Sequence, residues 1–169
     1  MYNTEIELKY KTINLPQIEK QLKGLGVKFI KEFRCVDSYF LITGNDGRQY
    51  LRVREKDGRS ELNYHFVISH QETKEWETEV ESAELTKEIL RKIGHKDDVA
   101  VDKTRKIYKY KNSEISLDKV KKLGNFIEIE SPSKKELCEI EKELGFTKQQ
   151  RSDKMGYPDM IRGYLIGKE

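Results

Sequence analysis

The feature that most constrains this chain is a strand alternation in which one parity is apolar and the other is charged. Glu5, Glu7 and Lys9 alternate with Ile6, Leu8 and Tyr10. Arg52 and Arg54 flank Val53, while Glu75, Glu77 and Glu79 alternate with Trp76, Thr78 and Val80. Lys103 and Arg105 follow Val101, Ser116 and Asp118 interleave with Ile115 and Leu117, and Glu128 and Glu130 with Ile127 and Ile129. A period of two puts each set on one face of a strand, so the sheet has one apolar and one charged surface. Mixed charges facing water would account for any one of these strands. Sorting by sign needs more, because the Arg and Lys pairs stand on different segments from the glutamate pairs. If the sheet curls into a barrel under its helices, the charged faces share a lumen in which opposite charges neutralise one another and an unpaired charge is costly. Clustered Arg and Lys suit a polyphosphate, and clustered carboxylates suit a hard divalent cation.

Helix signals occur in three places. Leu15, Ile18, Leu22 and Leu25 fall at helical spacing between a capping Asn14, with Pro16 in the first turn, and a terminating Gly26. A second helix is predicted from Ser82 through Leu85, Ile89, Leu90 and Ile93 to Gly94, and a third from Ser133 through Leu137, Ile140 and Leu144 to Gly145, with capping-box spacing between Ser133 and Glu136. The order Glu5-x-Glu7, helix, strand is echoed by Glu77-x-Glu79, helix, strand, a faint repeat that points to two halves about a pseudo-twofold axis.

Composition removes several classes. The 169 residues suit a single domain over 1–169, with no Gly/Ser linker to divide them. Lys plus Arg is 33 and Asp plus Glu is 30, so a net charge of +3 gives no support to nucleic-acid or membrane binding. The longest apolar runs are too short to span a bilayer and Met1 precedes no signal-peptide stretch, so a cytoplasmic protein is expected. Cys35 and Cys138 have no ligand spacing and read as packing residues. His70 and His95 read as surface residues, and Trp76 as a core anchor under a helix.

In order, the segments Glu5-Ile6-Glu7-Leu8-Lys9, Asp37-Ser38-Tyr39-Phe40, Leu51-Arg52-Val53-Arg54, Lys74-Glu75-Trp76-Glu77, Val101-x-Lys103-x-Arg105 and Leu117-Asp118, followed by Phe126-Ile127-Glu128-Ile129-Glu130, resemble the CYTH domain. This is the triphosphate tunnel metalloenzyme family, which includes class IV adenylyl cyclases and thiamine triphosphatases; the stand-alone, cyclase-like branch is the most similar. The resemblance implies an α+β fold, an eight-stranded antiparallel closed β-barrel with helices packed outside. It implies Glu5, Glu7, Asp118, Glu128 and Glu130 as ligands of Mg2+ or Mn2+, and Glu75 and Glu77 as further tunnel acids. It gives Lys9, Arg52, Arg54, Lys103 and Arg105 as the triphosphate clamp, with His65 where the family usually has a lysine. Lys9 and Glu7 are the expected catalytic residues, Lys9 as candidate general base. The substrate would be ATP, thiamine triphosphate or tripolyphosphate, bound by a monomer or homodimer with no nucleic-acid or membrane partner. The expected reaction is closure of ATP to cyclic AMP and diphosphate; the alternatives are terminal-phosphate hydrolysis, or polyphosphate binding without turnover. A family Lys-Ser-Tyr run that closes the tunnel end is replaced by Lys154-Met155-Gly156-Tyr157, with Arg151 and Lys154 in reach of an anion.

Overall fold

The alternating segments become strands that close on one another. A computed structural model describes residues 2–12, 14–42, 47–152 and 154–167. Its strands are β1 (Asn3–Thr12), β2 (Lys28–Leu41), β3 (Gln49–Lys56), β4 (Arg59–Ser69), β5 (Glu72–Val80), β6 (Lys96–Tyr110), β7 (Ser113–Val120) and β8 (Gly124–Glu130). They form a closed barrel in the order β1-β5-β4-β3-β2-β6-β7-β8, every pairing antiparallel, with β8 returning to β1. Closure leaves the sheet without an exposed edge. The expected α+β barrel is therefore the observed fold.

The helices are α1 (Leu15–Gly24), α2 (Ala83–Lys92), α3 (Lys134–Glu143) and α4 (Tyr157–Ile166). The predicted caps form: Asn14, Ser82 and Ser133 each accept the backbone N–H of the third residue on, at 3.1, 3.2 and 3.2 Å. Each satisfies a donor that the first turn leaves unpaired. The reciprocal half of the capping box is not made, because the Glu136 carboxylate accepts instead from the Ser113 hydroxyl and the Asn112 backbone, at 2.6 and 2.9 Å.

The apolar parity lies outside the barrel, under the helices. α1 and α3 bury Leu15, Ile18, Leu22, Leu137 and Ile140 against Leu8, Ile115, Leu117, Ile127 and Ile129. α2 covers Phe40 and Val53. The two repeat halves lie side by side, since β1 pairs with β5 and β2 with β6.

Three expectations are corrected. Three helices were predicted and four are present among the described residues; α4 is preceded by a cap at Gly156, whose N–H donates to the Asp159 carboxylate at 3.1 Å, and Pro158 supports its first turn. Trp76 lies under no helix: it is 38% exposed, between Tyr2 and Tyr64 at ring separations of 5.2 and 5.4 Å. Cys35 is buried as expected, but Cys138 is exposed, because α3 turns that position away from the barrel. No helix among the described residues is long and apolar enough to cross a membrane.

Candidate active site in the barrel lumen

The charged parity points inward. A cavity of about 380 Å³ is lined by Glu5, Glu7 and Lys9 of β1, Arg52 and Arg54 of β3, His65 of β4, Glu75 and Glu77 of β5, Lys103 and Arg105 of β6, and Glu128 and Glu130 of β8. Every site residue predicted from sequence is on this list except Asp118, which lies fully buried behind Arg105. Five cations and a ring of carboxylates thus face one space.

The cations are held from behind by carboxylates. Arg54 makes a two-pronged bond to Asp37 at 2.6 and 2.8 Å, and Arg105 another to Asp118 at 2.7 and 2.6 Å. Lys103 Nζ lies 3.8 Å from Asp37 and 3.6 Å from Asp118. Arg105 also pairs with Glu128. Arg52 donates to Glu75 at 2.6 Å and to Asn63 at 3.3 Å, and Asn63 in turn donates to Glu77 at 2.7 Å. Although burial opposes ionisation, Arg54 and Lys103 hold Asp37 well below the usual carboxylate range, and Arg105 and Lys9 do the same for Glu128. Forked guanidinium groups fixed in this way are pre-oriented for an anion.

The acids nearer the start of β1 outnumber the cations beside them, Glu7 having Lys9 at 3.3 Å. Register places Glu7 opposite Glu130, and Glu130 opposite Glu114, so three glutamates stand side by side on β1, β8 and β7. Like charges directly opposite destabilise a sheet unless something neutralises them. Burial, Glu114 and Glu7 push the Glu130 carboxyl up to about 7. Burial and a hydrogen bond to Glu75, with Glu130 and Glu7 adding repulsion, push Glu5 up to about 10. Glu75 moves the opposite way, below the usual range, although burial opposes it, because His65, Glu5 and Arg52 favour its charge. Glu5 is thus pushed towards its protonated form and Glu75 towards its ionised form. Among the described residues no three acids already converge on a single point. Their chemistry nevertheless fits a hard divalent cation: the donors are oxygens, crowded, and in excess of local positive charge.

Lys9 separates the two regions. It lies 3.3 Å from Glu7 and 3.1 Å from Glu128, and although burial disfavours its charge these two carboxylates raise its pKa above the ordinary lysine value. It is a fixed cation. Lys103 is shifted the other way by burial and by Arg105. His65 is 3% exposed and stacks on Tyr50 with ring centroids 4.4 Å apart. Burial and Arg52 push it down to about 4 despite Glu75, whose Oε1 lies 3.1 Å from Nε2 without hydrogen-bond alignment. The imidazole is neutral near pH 7, so the clamp has no cation at this position.

Residues that line the lumen or stand behind its lining escaped assignment to the site from sequence. Glu114 continues the parity of Ser116 and Asp118, a signal extendable by one step. Asp37 sits in a recognised motif, but its service to Arg54 depends on register between β2 and β3. Tyr157 enters from α4, donates to Asp118 at 2.9 Å, and places its ring 4.4 Å from Lys9 Nζ and 4.9 Å from Lys103 Nζ. Arg151 does not reach the lumen, being bound through two bonds to Glu141 at 2.7 and 2.6 Å. Lys154 lines an adjoining cavity of about 560 Å³, with Leu41, Ile42, Val67, Met155 and His70, which shares Glu7, Lys9 and Tyr50 with the lumen.

Comparison with known proteins agrees with this geometry. Residues 3–154 match the CYTH domain. A Methanocaldococcus jannaschii protein named "Putative adenylate cyclase" is 36% identical over 132 residues, 75% of each chain. The PH1012 protein of Pyrococcus horikoshii superposes with a TM-score of 0.82 at 30% identity, covering 89% of this chain and 96% of its own. A Hippeastrum protein, described as a "putative adenylyl cyclase" that reveals a dominant triphosphatase activity, shares the fold at a TM-score of 0.64 and 16% identity, over 99% and 96% of the two chains. With its charged parity turned into a closed lumen and its family match running through nearly all of the barrel, this chain belongs to the CYTH domain family.

Proposed function

We propose that this chain binds a triphosphate together with Mg2+ or Mn2+ in the barrel lumen and converts ATP to cyclic AMP and diphosphate, in the manner of a class IV adenylyl cyclase. The observation that carries the reading is the row of Glu7, Glu130 and Glu114, three acids against the single close cation Lys9 beside Glu7, facing the same space as the other cations of the lumen. Glu5, Glu7 and Glu130 would hold the metal, which when bound neutralises the row and polarises phosphate oxygens. Lys9, Arg52, Arg54, Lys103 and Arg105 hold the non-bridging oxygens, whose charge grows in the transition state. Asp37 and Asp118 act through the arginines: we assign Asp118 to positioning Arg105 rather than to the metal, since its oxygens are already taken by Arg105 and Tyr157. Lys9 serves as a clamp cation rather than a proton acceptor.

In the cyclase reaction the ribose 3′-hydroxyl gives up its proton to solvent water as its oxygen bonds to the α-phosphorus, the bond from that phosphorus to the α–β bridging oxygen breaks, and diphosphate leaves with the electron pair. The adjoining cavity, with Leu41, Ile42, Val67 and Met155, offers apolar surface to an organic group beyond the phosphates. A second reading, hydrolysis of a terminal phosphate from tripolyphosphate or thiamine triphosphate, is favoured by the charge of the lumen itself, twelve of whose twenty lining residues are Glu, Lys or Arg. Phosphorus NMR of the protein with ATP, thiamine triphosphate and tripolyphosphate, in magnesium and then in manganese, separates them. Cyclic AMP with diphosphate is expected. Orthophosphate would establish hydrolysis and name its substrate, and broadened but unconverted triphosphate lines would leave a binding module.

A further inference from the structure

α2 carries an apolar row that nothing in the described chain covers. Leu85, Ile89 and Ile93 repeat every fourth residue and are 58%, 51% and 66% exposed, although the helix already buries Ala83, Lys87 and Leu90 on its other side. A lone exposed aliphatic needs no explanation, but a row along one helix face marks a surface that something covers.

The repeat within the chain supplies an internal control. Asn14 and Ser82 cap α1 and α2, Leu22 and Leu90 are buried in equivalent turns, and Gly26 and Gly94 follow with φ of 69° and 100°. In that alignment Gln17 and Gln21 of α1, both exposed, stand where α2 has Leu85 and Ile89. The third position is aliphatic in both halves, Leu25 being 37% exposed against 66% for Ile93, so the contrast lies at the first two places, polar in α1 and aliphatic in α2. Neither helix formation nor packing on the barrel explains the difference, because both helices satisfy those needs with their inner faces.

Charge along α2 indicates what lies opposite. Glu81 just before it and Glu84 and Glu88 within it are acidic, whereas Arg91 and Lys92 in its last turn and Lys96 at the start of β6 are basic, all exposed. Two such helices laid antiparallel about a twofold axis at Ile89 set Leu85 against the second copy's Ile93, lay acidic ends over basic ends, and oppose their dipoles. A parallel arrangement would place like charge on like. Glu84 and Arg91 are already paired within the chain, with Lys87 at 2.9 Å and Asp97 at 2.8 Å, so Glu88 and Lys92 are the residues placed to pair between copies.

We propose that the outer face of α2 is an isologous interface with a second copy of this chain, formed by antiparallel contact of Leu85, Ile89 and Ile93. This does not rest on the proposed reaction, since the row lies outside the barrel. Sedimentation equilibrium of the full chain is expected to show a dimer at micromolar concentrations. Ile89→Arg should weaken it about a hundredfold, Glu88→Lys and Lys92→Glu each about tenfold, and the double reversal should restore it, because the exchange re-pairs across the axis. All are exposed positions, and circular dichroism checks that the variants fold. In a C138S background, I89C is expected to cross-link to itself on oxidation. Conversely, L85C should link poorly to itself and well to I93C. A chain that stays monomeric, a dimer unmoved by Ile89→Arg, a double reversal that fails to restore it, or absence of the I89C link would overturn the proposal.

Discussion

The stability of the lumen depends on pairs rather than on single charges. Asp37 has no exposed surface and gives both oxygens to Arg54. Arg54→Leu should therefore cost about 3–5 kcal/mol in urea unfolding, because it strands a buried carboxylate, and adding Asp37→Leu should recover a large part of that loss. A single variant costing under about 1 kcal/mol would show that water reaches Asp37. It follows that loss of triphosphate binding in Arg54 variants must be read beside their stability. His65 allows a gain instead. Replacing it with lysine puts a cation beside Glu75, where the imidazole is neutral, and is expected to tighten tripolyphosphate binding about tenfold by calorimetry. Unchanged or weaker binding would mean that the Tyr50 stack, and not charge, is what the site needs at this position.

At the scale of elements, α4 links the surface to the tunnel. Its first residue, Tyr157, is 5% exposed, and its hydroxyl donates to Asp118, which also orients Arg105. Tyr157→Phe should lower unfolding free energy by about 1–2 kcal/mol and weaken triphosphate binding, since Asp118 loses one donor and Arg105 one restraint. An effect on stability without one on binding would separate α4 from the clamp. The segment before α4 is anchored independently: Arg151 pairs with Glu141 of α3, which also accepts from Tyr10 of β1 at 2.8 Å. Removal of α4 is therefore expected to open the lumen while leaving the α3 contact in place.

For the molecule as a whole, the two classes of carboxylate set opposite pH limits. Glu130 and Glu5 are raised from about 4.5 to about 7 and about 10. Their contribution to stability is complete below about 4.5 and is lost as pH rises through those folded values, because the folded state then holds protons that the unfolded state has released. Asp37 and Glu128 are lowered, so their contribution is present above the ordinary carboxyl range and lost as pH falls. The melting temperature of the metal-free protein should thus decline from pH 6 to pH 9. Magnesium should raise it more at pH 9 than at pH 6, a hundredfold excess over Kd stabilising the fold by about 2.7 kcal/mol, because the cation replaces protons on the same acids. A magnesium effect that does not depend on pH would remove the glutamate row as its site.

The sequence by itself determined the barrel faces and most of the lining. A period of two assigns Glu5, Glu7, Lys9, Arg52, Arg54, Lys103, Arg105, Glu128 and Glu130 to one side of their strands, and that assignment needs no knowledge of neighbours. The caps at Asn14, Ser82 and Ser133 were legible for the same reason, being local chemistry within one turn. Tertiary structure decided whatever depends on register and on distant chain. Only pairing between β7, β8 and β1 brings Glu114, Glu130 and Glu7 abreast, and only pairing between β2 and β3 puts Asp37 behind Arg54. Only the docking of α4 carries Tyr157 to Asp118. Likewise the neutrality of His65 comes from burial and Arg52, fields that a strand pattern does not contain. Alternation fixes the direction of a side chain relative to its own backbone; which charge it meets, and so what state it holds, depends on the closed barrel.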